Sequence, residues 1–186
     1  YSGGSWTKLG SDIDGEAAND KSGWSVSLSS DGTTVAIGAP DNDGTGTNAG
    51  HVRVYKYNGS AWTKLGNDID GEATGDTSGK SVSLSSDGTT VAIGAYLNDG
   101  TGTDAGHVRI YQYNGSAWTK LGSDIDGEAA EDQSGHSVSL SSDGTIVAFG
   151  AIYNDGTATN AGHVRIYQYS GGSWTKLGSD IDGEAA

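Results

Sequence analysis

Apolar and polar residues alternate along this chain in short runs with a period of two, the signature of half-buried β-strands. In residues 24–29, Trp24, Val26 and Leu28 share one face and serines the other. Ser30-Asp31-Gly32 makes a tight turn into residues 33–39, where Val35, Ile37 and Ala39 share a face and the opposite positions are small. A polar loop from Pro40 and Asp41 to Gly50 leads to a third strand, residues 51–57, in which Val52 and Val54 alternate with Arg53, Tyr55 and Tyr57. Asn58-Gly59 is a strong two-residue hairpin signal and opens a fourth strand near residues 61–66. A second long loop, residues 67–79, follows. No stretch carries a helical period with caps.

This pattern recurs. Trp6, Trp62, Trp118 and Trp174 are each 56 residues apart, as are His51, His107 and His163. The chain holds three periods and eighteen further residues, and residues 1–18 are identical to residues 169–186. At the equivalent hairpin the internal copies read Asn-Gly-Ser-Ala, so full identity returns only after three modules. The expected division is a strand and connector at 1–22 completing a preceding module, then modules at 23–78, 79–134 and 135–186. The expected class is all-β: tandem four-stranded antiparallel blades, β-propeller-like, with a β-solenoid or fibre of stacked blades as the rival. Either needs neighbours to bury each module's faces. Counting the Trp6 copy as a strand gives thirteen strands and leaves one sheet edge open to another chain. Three modules are too few for a ring of ~4–8 blades.

Composition narrows the function. The net charge of −14 argues against nucleic acid and anionic membrane surfaces and favours cation binding. Without cysteine there is no disulfide, thiol catalysis or zinc-thiolate site. No apolar run approaches the ~20 residues of a membrane helix, and no signal peptide is evident. The absence of methionine is expected of a mature product or a segment. Catalytic signatures fail. Gly79-Lys80-Ser81 lacks the phosphate loop's first glycine, Thr74 standing in its place, and no G-x-S-x-G elbow exists. Near-identical carboxylates do not provide the two different environments an acid–base pair needs. The expectation is therefore a chain that is not an enzyme.

Residues 22–57 resemble the FG-GAP repeats of integrin α-subunit propellers and their bacterial and algal relatives. Ser22-Gly23-Trp24-Ser25-Val26 stands for the family's FGxSV, residues 36–40 (AIGAP) for its GAP, and residues 50–55 (GHVRVY) for its GxVYVY strand. The other modules carry SGKSV with AIGAY, and SGHSV with AFGAI. The resemblance implies a β-propeller and a role in adhesion, surface display or extracellular assembly. The family's calcium loop, between the first two strands, is here only Ser-Ser-Asp-Gly, as at Asp31, Asp87 and Asp143. A loop that short cannot supply the ~6–8 oxygens calcium takes.

Two other acidic loops are candidates for Ca2+, the one cofactor expected. Between strands two and three lie Asp41, Asp43 and Asn48, then Asp99 and Asp104, then Asp155 and Asn160. The inter-module loops place Asp12, Asp14 and Glu16, then Asp68, Asp70 and Glu72, then Asp124, Asp126 and Glu128 at alternating positions, like half of a hard-cation loop. Solvated turn residues explain the same pattern. Asn58 and Asn114 begin Asn-Gly-Ser, the N-glycosylation acceptor pattern, though a two-residue turn wants Asn-Gly anyway. His51, His107 and His163 read as strand-edge polar residues, or as a ring at a pore. Trp62 with Tyr55 and Tyr57 reads as packing between modules, or as a sugar-stacking shelf.

The expected function is an extracellular or cell-surface structural and adhesive repeat protein. Its modules would self-associate with similar modules into a ring or filament, with a cell-surface protein or glycan as a further partner, no nucleic acid and no membrane insertion. The alternative is a calcium- or carbohydrate-binding, lectin-like propeller with one site per blade.

Overall fold

The computed structural model describes residues 3–184. Tyr1 and Ser2 at one end of the repeat, and Ala185 and Ala186 at the other, lie outside the described residues. Three antiparallel sheets stand side by side as blades. The first contains β1 (Ser25–Leu28), β2 (Thr34–Ala39), β3 (His51–Tyr57), β4 (Trp62–Lys64) and β5 (Ile69–Asp70). The second contains β6 (Ser81–Leu84), β7 (Thr90–Ala95), β8 (His107–Tyr113), β9 (Trp118–Lys120) and β10 (Ile125–Asp126). The third contains β11 (Ser134–Leu140), β12 (Ile146–Ala151), β13 (His163–Ser170), β14 (Ser173–Lys176) and β15 (Ile181–Asp182). In each, the strands pair in chain order, and the two last segments share one edge of the third strand. The architecture is blades of a propeller-like fold, not a solenoid.

One detail differs from the sequence reading. The fourth strand of each blade is broken in two, because Gly66, Gly122 and Gly178 turn the chain at positive φ before it rejoins the third strand. Its second piece is only two residues, too short for alternation to show. The thirteenth strand expected at Trp6 falls partly on Tyr1 and Ser2, outside the described residues, and Ser5 carries an isolated bridge.

Both faces of β2 and β7 are buried, because each blade is covered by its neighbours. Ala36, Val52, Val54 and Ile69 of the first blade pack on Val82, Leu84, Val91 and Ile93 of the second. The same set one period later packs on Val147 and Phe149 of the third. The small residues opposite the apolar face of β2 permit this approach. A Cβ built on Gly38 would lie 2.0 Å from the Gly79 carbonyl oxygen of the next blade, and one on Gly94 would lie 1.9 Å from that of Gly135. Ser25 Oγ donates to Gly79 O and Ser81 Oγ to Gly135 O, sealing the contact. Trp118 Nε1 donates across the blades to Leu65 O, and Trp174 Nε1 to Leu121 O, so these indoles serve packing between modules.

Gly94→Ala should therefore lower stability by about 3 kcal/mol or more, since backbone rather than a flexible side chain must move. Gly150→Ala should cost clearly less, because its Cβ would meet only Ser137 Oγ at 2.9 Å and His163 O at 3.9 Å. Urea unfolding of the two variants measures the difference, and equal losses would contradict the close approach of blades.

Candidate functional site

The structure gathers three equivalent groups at the blade connectors: Glu16, His51 and Asp68; Glu72, His107 and Asp124; Glu128, His163 and Asp180. Within each, one nitrogen and two carboxylate oxygens lie within 4.8 Å of one another. Three stretches of chain build each group. The connector entering a blade brings the glutamate, the first residue of the third strand brings the histidine, and the turn between the two pieces of the fourth strand brings the aspartate.

Arginine and lysine frame the group. Arg53, two residues beyond His51 on the same face of β3, approaches Glu16 at 3.4 Å, and Arg109 approaches Glu72 at 3.3 Å. Both guanidinium groups are buried, and Nη2 donates to the connector's carbonyls, Asp14 O at 2.7 Å and Asp70 O at 2.8 Å. Lys64 Nζ reaches Asp68 Oδ1 at 2.9 Å, and Lys120 reaches Asp124 at 3.0 Å. Two carboxylates thus face two cations, with the histidine between them. Burial lowers His51 against the pull of Asp68, and it lowers His107 to about 4, with Arg109 adding to the effect.

The histidines are buried rather than at an exposed strand edge, His107 being only 2% exposed. That corrects the sequence reading. Nε2 of His107 and of His163 is buried without a hydrogen-bond partner. Of the residues singled out for a cation, Glu16, Asp68, Glu72, Asp124 and Glu128 enter these groups, joined by Asp180 and the three histidines.

The remaining candidates are placed otherwise. Asp12 pairs with Lys8 at 2.8 Å. Asp70 and Asp126 hold β5 and β10 against the histidine ends of β3 and β8, and burial raises the Asp126 carboxyl. In the loops between second and third strands, Asp43 Oδ1 accepts from Asn48 N at 2.8 Å, Asp99 from Asp104 N at 2.8 Å, and Asp155 from Asn160 N at 2.6 Å. Asn48, Asp104 and Asn160 have positive φ, and Asp41 pairs with Lys21. These side chains serve the loop's own turns and do not join the three groups. Asn58 and Asn114 sit on exposed hairpins, each Oδ1 accepting the backbone N–H groups two and three residues on.

Residues 12–55 and 69–111 match the family model described as FG-GAP repeat. The chain carries FG-GAP repeats. No curated protein matches it in sequence. Among solved structures, a candidate 6-phosphogluconolactonase of Bacteroides fragilis NCTC 9343 is similar at 15% identity and TM-score 0.57, over 86% of this chain and 38% of that one. Kuenenia stuttgartiensis hydrazine synthase is similar at 10% identity and TM-score 0.53, over 95% of this chain and 41% of that one. Saccharomyces cerevisiae Sqt1 is similar at 16% identity and TM-score 0.53, over 89% and 37%. The FG-GAP chain thus spans about two fifths of these structures, and at such identities the likeness shows the fold alone. Among the described residues no helix is long and apolar enough to cross a membrane.

The depressed His107 gives a pH prediction. Protons bind the unfolded imidazole below pH 6.5 but the folded one only near 4, so stability is full above 6.5 and falls as pH drops through that window. At about 1.4 kcal/mol per pH unit the loss approaches 3 kcal/mol. Urea unfolding with chelator present, from pH 7 to 4, should show it, and His107→Gln should flatten the profile.

Proposed function

We propose that this chain is an extracellular or cell-surface structural and adhesive repeat protein, not an enzyme, whose blades assemble with further copies into a ring or filament. One observation carries the reading. The outer faces of the first and third blades are chemical duplicates of the two faces buried between blades. Val26 is 64% exposed where its counterpart Val82 is 9%, and Ile181 is 58% exposed where Ile125 is 5%. A second copy seated head to tail would repeat the internal contact, with Val26 and Leu28 on the Ala148, Val164 and Ile181 face. Such a contact uses different surfaces on the two partners and so propagates. The FG-GAP repeats support an extracellular setting, where exposed Asn58 and Asn114 would be glycan acceptors.

A second reading, carbohydrate binding with one site per blade, is favoured by a repeated groove. Trp62 and Tyr55 line it with Asp12 and Asp14, and Trp118 and Tyr111 line its equivalent with Asp68 and Asp70. Calorimetric titration with neutral and acidic oligosaccharides would show heat only if this reading holds.

Light scattering after gel filtration should give a mass that grows with concentration, and negative-stain images should show discs or fibres. The double variant Val26→Asp, Leu28→Asp should be monomeric with an unchanged circular dichroism spectrum, because both side chains are exposed in the single chain. A wild-type chain that stays monomeric at all concentrations would overturn the assembly.

A further inference from the structure

We propose that each Glu–His–Asp group binds a zinc-class transition-metal dication, giving three sites per chain at the blade connectors. This inference is independent of assembly, because all the ligands of each group come from one chain. The first support is geometry: an imidazole nitrogen and two carboxylate oxygens converge within 4.8 Å in all three copies. The second is the orphaned imidazole. His107 and His163 are more than nine-tenths buried, and Nε2 of each has no hydrogen-bond partner. His51 turns Nδ1 toward Glu16 Oε2, 3.9 Å away, too far for a hydrogen bond. A buried ring nitrogen without a partner is costly, and in the first copy it is Nδ1 that faces the glutamate.

The donor set selects the ion. Neutral imidazole suits zinc, copper and nickel, and two carboxylates with water complete four ligands. Calcium takes ~6–8 oxygens and gains nothing from an imidazole. A site of one histidine and two carboxylates therefore belongs to a different class from an oxygen-only loop.

The fixed cations set the cost of binding. Lys120 must leave Asp124, and Glu72 must turn from Arg109 toward the ion. Both movements are small. The lysine sits on a half-exposed flexible stem, Glu72 is itself half-exposed, and such ion pairs contribute about 0–1 kcal/mol. Arg109 keeps its bonds to Asp70 O and Ser78 Oγ whether or not Glu72 remains beside it.

Zinc titration of the metal-free full chain by calorimetry, with cobalt(II) as a visible-absorption probe of low-symmetry coordination, tests the proposal. Three equivalents should bind, and calcium in excess should not displace them. Glu72→Gln, at a half-exposed position, should reduce the count to two. Lys120→Met should tighten one site about fivefold, the gain from removing a competing ion pair of ~1 kcal/mol. His107→Gln should also remove one site; should that variant unfold, Glu72→Gln decides. No zinc uptake, a count unchanged in Glu72→Gln, or an affinity unmoved in Lys120→Met would each overturn the proposal.

Discussion

The contact of one blade's sheet face with the next is the interaction on which this molecule depends. Each blade has two faces that must be dry, and neither can be closed from within. The faces differ in kind. One presents Val82, Leu84 and Ile93, and the other presents Ala92, Val108 and Ile110 around Gly94. Large residues on one side require small ones on the other at native packing density. Burying one such valine or leucine contributes about 1.5–3 kcal/mol, so each junction supplies several times the stability of any hydrogen bond that crosses it. The serine-to-carbonyl bonds and the indole N–H bonds act chiefly to fix register.

A junction of sheet faces alone could slide, and the connector prevents this. Its glutamate meets a buried arginine on the third strand, its carbonyl accepts from the same guanidinium, and its buried aspartate, Asp20 or Asp76, accepts from Asn42 or Asn98 Nδ2. Burying an arginine is unfavourable unless its charge and donors are answered. Here the glutamate answers the charge and the carbonyl answers Nη2, leaving Nε unpartnered, and these contacts pin the incoming chain against the blade it enters. The histidine beside that arginine is a by-product of the geometry in one sense: it begins the strand where the connector crosses.

Strand positions were legible in the sequence because alternation and turn residues are local. His51 through Tyr57 is a strand by pattern and in structure, and the hairpin turns where expected, though its centre is Gly59-Ser60, with Gly59 at positive φ and Asn58 N–H donating to Ala61 O. The site was only half legible. Glu16 and Asp68 were visible as acidic loop residues, but their convergence on His51 was not. In a strict repeat every pair of polar residues keeps a constant spacing, so periodicity cannot single out the pair that meets. Glu16 lies 35 residues before His51 and Asp68 17 residues after it. Only the crossing of the connector over the third strand makes those intervals short in space. In the acidic loops between second and third strands, an aspartate that accepts from a backbone N–H five residues on looks, in sequence, the same as one facing an ion, because both roles use the same residue types.

The few positions where the modules differ complete the picture. Trp24, Lys80 and His136 occupy one repeat position, and Pro40, Tyr96 and Ile152 another. In the structure four of these residues form one ladder: Lys80 Nζ lies 4.0 Å from the Trp24 ring and 5.0 Å from that of Tyr96, and Tyr96 meets His136 edge-on at 5.5 Å. The buried junction changes only from one apolar side chain to another, Ile93 to Phe149 and Val54 to Ile110, and at Gly94 one added methyl group would strike backbone. A rim contact of cation and ring is worth only about 0.5–1 kcal/mol and accepts many partners. The variation at the rim makes the first junction a lysine against tryptophan and the second a histidine against tyrosine. Two junctions built on one plan are in this way chemically distinct at their rims, which gives otherwise equivalent blades an order.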